Sequence, residues 1–144
     1  MNRDEIKTYL PHREPMLLVD SIVVDTLIDT DGSEIQYAIA TYSVRGDEFF
    51  LQGHFPDHPV VPGVILCEMM AQSCALLLGD EIKSKRPFYT GIDNVRFKNQ
   101  VRPGDTLVIR SVITDRRQSL VFAKSEIKVD GKICCRGSLS FALI

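Results

Sequence analysis

The chain has no tryptophan and only three histidines, and its 17 Lys and Arg residues are outnumbered by 19 Asp and Glu. A domain that binds nucleic acid would carry a basic excess, so that class is not expected. No two of the four cysteines have Cys-x-x-Cys spacing. Cys67 and Cys74 are seven apart on a predicted helix, ~10 Å along its axis and too far to bridge. Cys134 and Cys135 are neighbours in a predicted strand, where successive side chains point to opposite faces. All four are expected to be small core residues in a reducing compartment. The opening MNRDEIKTYL is charged and lacks the apolar centre of a signal peptide. The apolar run after Val60 is too short for a membrane span and is broken by Pro62, Glu68 and Gln72. A cytoplasmic location is the expectation. With no repeat, low-complexity segment or linker, residues 1–144 are expected to form a single domain large enough to bury a core.

Of the seven prolines, Pro56, Pro59 and Pro62 recur every third residue within Gly53–Gln72, GHFPDHPVVPGVILCEMMAQ. Each fixes its own φ and biases its predecessor toward extended geometry, so His54 to Val61 cannot be helical. From Gly63, VILCEMMAQSCALLLG predicts a helix ending at Gly79, roughly 25 Å long. Only Glu68, Gln72 and Ser73 break its apolar surface, so burial on most sides is expected.

The remaining chain reads as strands. Asp4 to Leu10 predicts a short helix stopped by Pro11, and Met16–Ile28 a long strand. A turn at Asp31-Gly32 leads to a second strand over Ile35–Val44. Asp47 to Gln52 is a loop or helical turn whose Phe49, Phe50 and Leu51 are available for packing. After the helix and a polar connection come strands over Phe88–Phe97, Thr106–Thr114, Ser119–Val129 and Lys132–Leu143. Turn signals separate them at Pro103-Gly104 and Asp130-Gly131. Six strands with one long helix inserted after the second make an α+β domain, the helix wrapped by one continuous antiparallel sheet.

His12, between two prolines in PHREP, is expected to cap or pack at a turn, with no catalytic part. His54 and His58 are four apart, but Pro56 and Pro59 exclude the helix that would aim both at a metal, so no metal is expected. Taken singly, His54 reads as a turn histidine and Glu68 as part of a solvated stripe. Together they resist that reading, because Glu68 and Gln72 share one face of a helix with almost no other polar surface. A buried carboxylate needs a partner or a proton, and Gln72 can supply an orienting hydrogen bond. Imidazole and carboxylic acid at the edge of an apolar interior form a base and acid pair. The unpaired N–H groups near Gly63 and Val64 are donors for a developing oxyanion. Together they make an elimination or hydration site.

Four stretches, LPHREPMLLVD, GHFPDHPVVPGVILCEMMAQ, GIDNVRFKNQVRPGD and VDGKICCRG, occur in that order. They resemble the β-hydroxyacyl-acyl-carrier-protein dehydratases of the FabZ type, from about Tyr9 to the end of the chain, the second stretch being the most specific. The resemblance implies the hotdog fold, a long central helix wrapped by a six-stranded antiparallel sheet, paired as a homodimer or as a trimer of dimers. It implies loss of water from a (3R)-hydroxyacyl thioester on acyl carrier protein during fatty-acid elongation, giving the trans-2-enoyl product without a cofactor. In it, His54 takes the Cα proton, and Glu68, from the other subunit, acts on the β-hydroxyl. The N–H groups of Gly63 and Val64 polarise the thioester carbonyl, and Gln72 supports the acid. Glu68 in place of aspartate favours the dehydratase-only branch over its isomerase relatives.

Phe55, Cys67, Met69, Met70, Phe88 and Tyr89 are expected to shape the acyl tunnel. Asp57, His58, Cys67 and Met69 depart from the residues common in the family and bear on that shape. The carrier protein is acidic, so Lys83, Lys85, Arg86, Lys98 and Arg102 are candidates to receive it. A hotdog acyl-thioesterase is the enzyme alternative and a non-catalytic acyl-binding accessory subunit the other. The presence of both His54 and Glu68 argues against each.

Overall fold

In the computed structural model, which describes residues 1–144, helix α1 (Arg3–Ile6) is closed by a capping box between Asn2 and Glu5. The strand expected from Met16 begins only at Ser21, as β1 (Ser21–Ile28). The preceding residues form an irregular strap because their backbone is paired by a side chain instead of a sheet neighbour. Gln72 Oε1 accepts the Leu18 N–H at 2.9 Å, and Gln72 Nε2 donates to the Met16 carbonyl at 2.8 Å. An apolar run without strict alternation does not reveal such a substitution.

β2 (Glu34–Ser43) returns from the Asp31-Gly32 turn, and a 3-10 turn covers Phe49–Leu51. Helix α2 (Gly63–Ala75) follows, then β3 (Pro87–Phe97), β4 (Thr106–Arg117), β5 (Leu120–Val129) and β6 (Lys132–Leu143). The strands form one antiparallel sheet in the order β1-β2-β4-β5-β6-β3. The α+β arrangement expected from the sequence is present, with α2 lying chiefly across β4 and β5. β5 alternates as a half-buried strand does: Val121, Ala123, Ser125 and Ile127 face the core and are buried.

α2 is shorter than expected. Its α-helical part stops at Ala75, ~20 Å from its start. The chain then tightens into 3-10 turns through Leu76–Ser84, interrupted at Gly79 (φ 58°, ψ −134°). Side-chain-bearing residues rarely adopt that conformation, so the glycine marks a break inside the apolar run rather than its end. Gly63–Ser84 has the length and mean hydropathy (1.3) of a membrane span, but its apolar side chains are committed to the sheet: nine of the 13 residues of α2 are buried.

Cys134 and Cys135 are both buried, as expected of small core residues. Ile127 pairs with Cys135 and Lys128 with Ile133, so Cys134 is the extra residue of a bulge that disturbs the alternation. β3 forms the sheet edge beyond β6 and exposes Phe88, Tyr89, Ile92 and Phe97.

Candidate active site

The loop that carries His54 is pinned from below. The Glu48 carboxylate accepts the N–H groups of Arg45 and Gly46 and the Tyr42 hydroxyl, the last at 2.9 Å. Burial alone would raise the Glu48 pKa, but these donors outweigh it and hold the group below its ordinary value. The 3-10 turn above buries Phe50 and Leu51, while Phe49 stays exposed. The Leu51 carbonyl accepts the His54 N–H at 3.1 Å, and the His54 carbonyl accepts the Val60 N–H at 2.9 Å.

The ring of His54 stacks on Phe55 with centroids 4.4 Å apart, and its Nδ1 lies 3.1 Å from the Val60 carbonyl oxygen. A carbonyl can only accept, so Nδ1 carries the hydrogen and Nε2 keeps its lone pair. His54 is thereby set in the tautomer of a base.

Pro62 caps α2, and its carbonyl accepts the N–H groups of Ile65 (3.0 Å) and Leu66 (3.2 Å). The N–H groups of Gly63 and Val64 have no acceptor within the chain, as expected for the first turn of a helix. The ring of Phe97 covers Gly63 so closely that a Cβ there would lie 2.8 Å from its Cε1 and Cζ. Phe97, Val60, Val61, Val64 and Leu66 line an apolar cavity of about 440 Å³ at this helix start. A polar cavity of about 510 Å³ adjoins it, sharing Lys98, Asn99 and Gln100 and adding Arg102 and Lys132. Lys98 and Arg102 have no carboxylate partner, whereas Lys83 and Lys85 are paired with Asp80 and Glu81.

Glu68 is five residues further along α2. Gln72 Nε2 donates to its Oε1 at 3.0 Å, and Nε2 of His12 approaches the same oxygen at 3.4 Å. Tyr89 stands beside them, its hydroxyl donating to the Cys67 carbonyl at 2.8 Å. Burial and the neighbouring Glu68 carboxylate push the Tyr89 pKa up, so the phenol stays protonated. His12, Glu68, Gln72, Tyr89 and Phe141 border a cavity of about 30 Å³, large enough for a single water.

His12, expected only to cap or pack at a turn, is the imidazole beside Glu68, carried there by the strap that Gln72 fastens to α2. Its position depends on a contact spanning more than fifty residues, which no local pattern announces. Within one chain no ion pair joins His54 to Glu68, and His54 borders neither the Gly63 cavity nor the Glu68 cavity.

Of the residues expected to shape a tunnel, Tyr89 borders the Glu68 cavity, and Met69 and Met70 are wholly buried in the core. Cys67 is buried against Cys135, whose thiol lowers the Cys67 pKa while its own is raised. Phe55 and Phe88 are exposed. Phe97 was missed; an aromatic closing a strand gives no sign that it will cover a helix start.

A family model described as a FabA-like domain matches residues 10–138. The chain is 48% identical over 145 residues to the 3-hydroxyacyl-[acyl-carrier-protein] dehydratase FabZ of Clostridium perfringens strain SM101, covering 99% of each chain. It is 44% identical over 144 residues to the protein of that name from Caldicellulosiruptor bescii, covering 99% of this chain and 98% of that one. Among solved structures, it matches a chain of the dehydratase heterocomplex ApeI:P from Xenorhabdus doucetiae with a TM-score of 0.77 and 22% identity, over 96% of this chain and 90% of that one. It matches the putative thioesterase yhdA from Lactococcus lactis with a TM-score of 0.67 and 14% identity, over 100% and 99%. At these identities the two structures speak for a shared fold alone.

Proposed function

The chain belongs to the FabA-like family, among relatives that are 3-hydroxyacyl-acyl-carrier-protein dehydratases, and from this premise we propose that it eliminates water from a (3R)-hydroxyacyl thioester on acyl carrier protein. The observation that carries the reading is a helix start whose first amides are unpaired, entered by the loop on which His54 holds a fixed tautomer. His54 Nε2 takes the Cα proton, and the electron pair left behind moves toward the thioester carbonyl. The N–H groups of Gly63 and Val64 hold the oxygen on which charge gathers; one such donor is typically worth ~3–4 kcal/mol. The Cα–Cβ double bond forms as the β-hydroxyl leaves, and Glu68 supplies the proton that turns it into water. The proton on His54 then returns to solvent or to the Glu68 carboxylate, and both groups regain their starting states. No step calls for a metal or an organic cofactor.

Within one chain His54 lines neither the cavity at Gly63 nor the cavity at Glu68, which favours a site shared between two subunits. β3 is an uncovered edge strand with exposed Phe88, Tyr89 and Ile92, and edge-to-edge pairing of two copies is the simplest way to cover it. We take the functional unit to be a cytoplasmic homodimer, able to associate further as a trimer of dimers. Lys98 and Arg102, without a carboxylate partner and beside the Gly63 cavity, are the cations best placed to receive an acidic carrier protein.

The test is hydration of an enoyl thioester, followed by loss of its conjugated absorbance, with free thiol measured alongside. His54→Ala and Glu68→Gln are each expected to be folded and inactive. Mixed in equal amounts after proven subunit exchange, they should regain about a quarter of wild-type activity, since half of the two-fold dimers are hybrids with one intact site. No recovery despite exchange would exclude a shared site. Thiol release without hydration would make the protein a thioesterase.

A further inference from the structure

We propose that His12 is a positioning residue for Glu68, holding one carboxyl oxygen so that the other faces the substrate; this rests on Glu68 being the acid. Two side chains address Oε1, Gln72 Nε2 at 3.0 Å and His12 Nε2 at 3.4 Å, while the Tyr89 hydroxyl beside them donates to the Cys67 carbonyl. No hydrogen bond within the chain engages Oε2. The amide of Gln72 can only donate through its nitrogen, so Oε1 is an acceptor, and when the carboxyl is protonated the hydrogen resides on Oε2. For His12 to share Oε1 in that state, its hydrogen must be on Nε2. That is the opposite tautomer from His54, where the Val60 carbonyl places it on Nδ1. One imidazole is arranged to accept a proton and the other to donate a hydrogen bond.

Packing does not explain the orientation of His12. Its Nδ1 is buried without a partner, which a ring serving only to fill space has no reason to tolerate. The backbone beneath it is tightly held. Arg13 donates to the carbonyls of Lys7, Leu10 and His12 itself, and Gln72 secures Met16 and Leu18 of the same strap. Gln72 therefore has two functions, donating to the carboxyl directly and fastening the segment that brings the second donor. With Oε1 held from two directions the carboxyl cannot rotate, and the proton on Oε2 stays aimed at the leaving hydroxyl. A carboxyl free to turn would spend much of its time with that proton misdirected, a loss of orientation that lowers turnover rather than affinity.

The experiment compares His12→Gln, His12→Asn and His12→Leu in enoyl-thioester hydration, with thermal melts confirming the folded state. A glutamine amide nitrogen reaches about as far as histidine Nε2, and an asparagine amide only as far as Nδ1. His12→Gln should keep kcat within a few-fold of wild type, whereas His12→Asn and His12→Leu should lose about tenfold or more, each with KM little changed. If His12→Leu does not fold, the contrast between Gln and Asn decides. In a Glu68→Asp background, where the shorter side chain has already withdrawn Oε1, His12→Asn should cost nothing further. Equal kcat in His12→Gln and His12→Asn, or an undiminished His12→Asn loss in that background, overturns the proposal. Wild-type turnover in Glu68→Gln would instead remove the acid assignment on which it stands.

Discussion

Replacing Gln72 with methionine isolates its mechanical function. The side chain is 1% exposed and makes three hydrogen bonds, two of them to the backbone of the strap at Met16 and Leu18. Methionine has similar length and volume, so Gln72→Met opens no appreciable cavity. It strands the buried Leu18 N–H, whereas Met16 is 40% exposed and its carbonyl can turn to water. Leaving one buried donor unpaired costs ~1–3 kcal/mol. For a chain of this size, 1 kcal/mol moves Tm by about 3–5 °C, which predicts a fall of roughly 3–15 °C. The measurement is a thermal melt followed by circular dichroism at equal protein concentration, together with native-state hydrogen exchange at the Leu18 amide. The melt should shift by that amount, and the amide should change from protected to rapidly exchanging. A Tm within a couple of degrees of wild type, or a Leu18 amide that stays protected, would refute the claim that this side chain replaces a strand neighbour.

Two further substitutions probe the helix start and the surface. Gly63→Ala sets a methyl 2.8 Å from the Phe97 ring and should lower turnover about tenfold or more with the fold retained; Phe97→Leu in the same chain should restore part of the loss, and failure to do so would mean the ring is not the obstacle. The Glu81 carboxyl is held down to about 2, first by its hydrogen bonds to Arg116. Its folded-state value lies below its unfolded one, so its stabilisation is present above 4.5 and lost as pH falls toward 2. Glu81→Gln should therefore lower the urea midpoint slightly at neutral pH, with a difference that disappears in acid and shrinks in high salt; a difference that grows in acid would contradict the sign.

The helix start was readable because Pro62 fixes its own φ and cannot lie inside a helix, so everything after it had to begin there. β5 and the Asp31-Gly32 turn were readable for the same kind of reason, since their signals are confined to neighbouring residues. The strap was misread as strand because hydrophobic content reports burial, not the identity of the hydrogen-bond partner, and that partner is a side chain on α2. His12 was dismissed for a related reason: two flanking prolines describe its backbone and say nothing about the residue its ring meets. The kink at Gly79 hid inside ALLLG, where an apolar run cannot distinguish helix end from helix break. Pairing of β3 with β6 past β4 and β5 is a long-range choice with no sequence period to announce it.

The sheet order has a consequence for how the chain is made. β1, β2, β4 and β5 each find a neighbour soon after synthesis, but the one sheet neighbour of β3 is β6, the last strand to emerge. At roughly 5–20 residues per second, the stretch between Phe97 and Lys132 takes a ribosome on the order of seconds. Throughout that interval Phe88, Ile92 and Phe97 wait on an unpaired strand, open to chaperones and to other nascent chains. The wall over Gly63 is thus among the last parts of the molecule to be set in place. A lesion in β6, far along the chain from His54 and Glu68, would act first by leaving Phe97 without the strand that holds it.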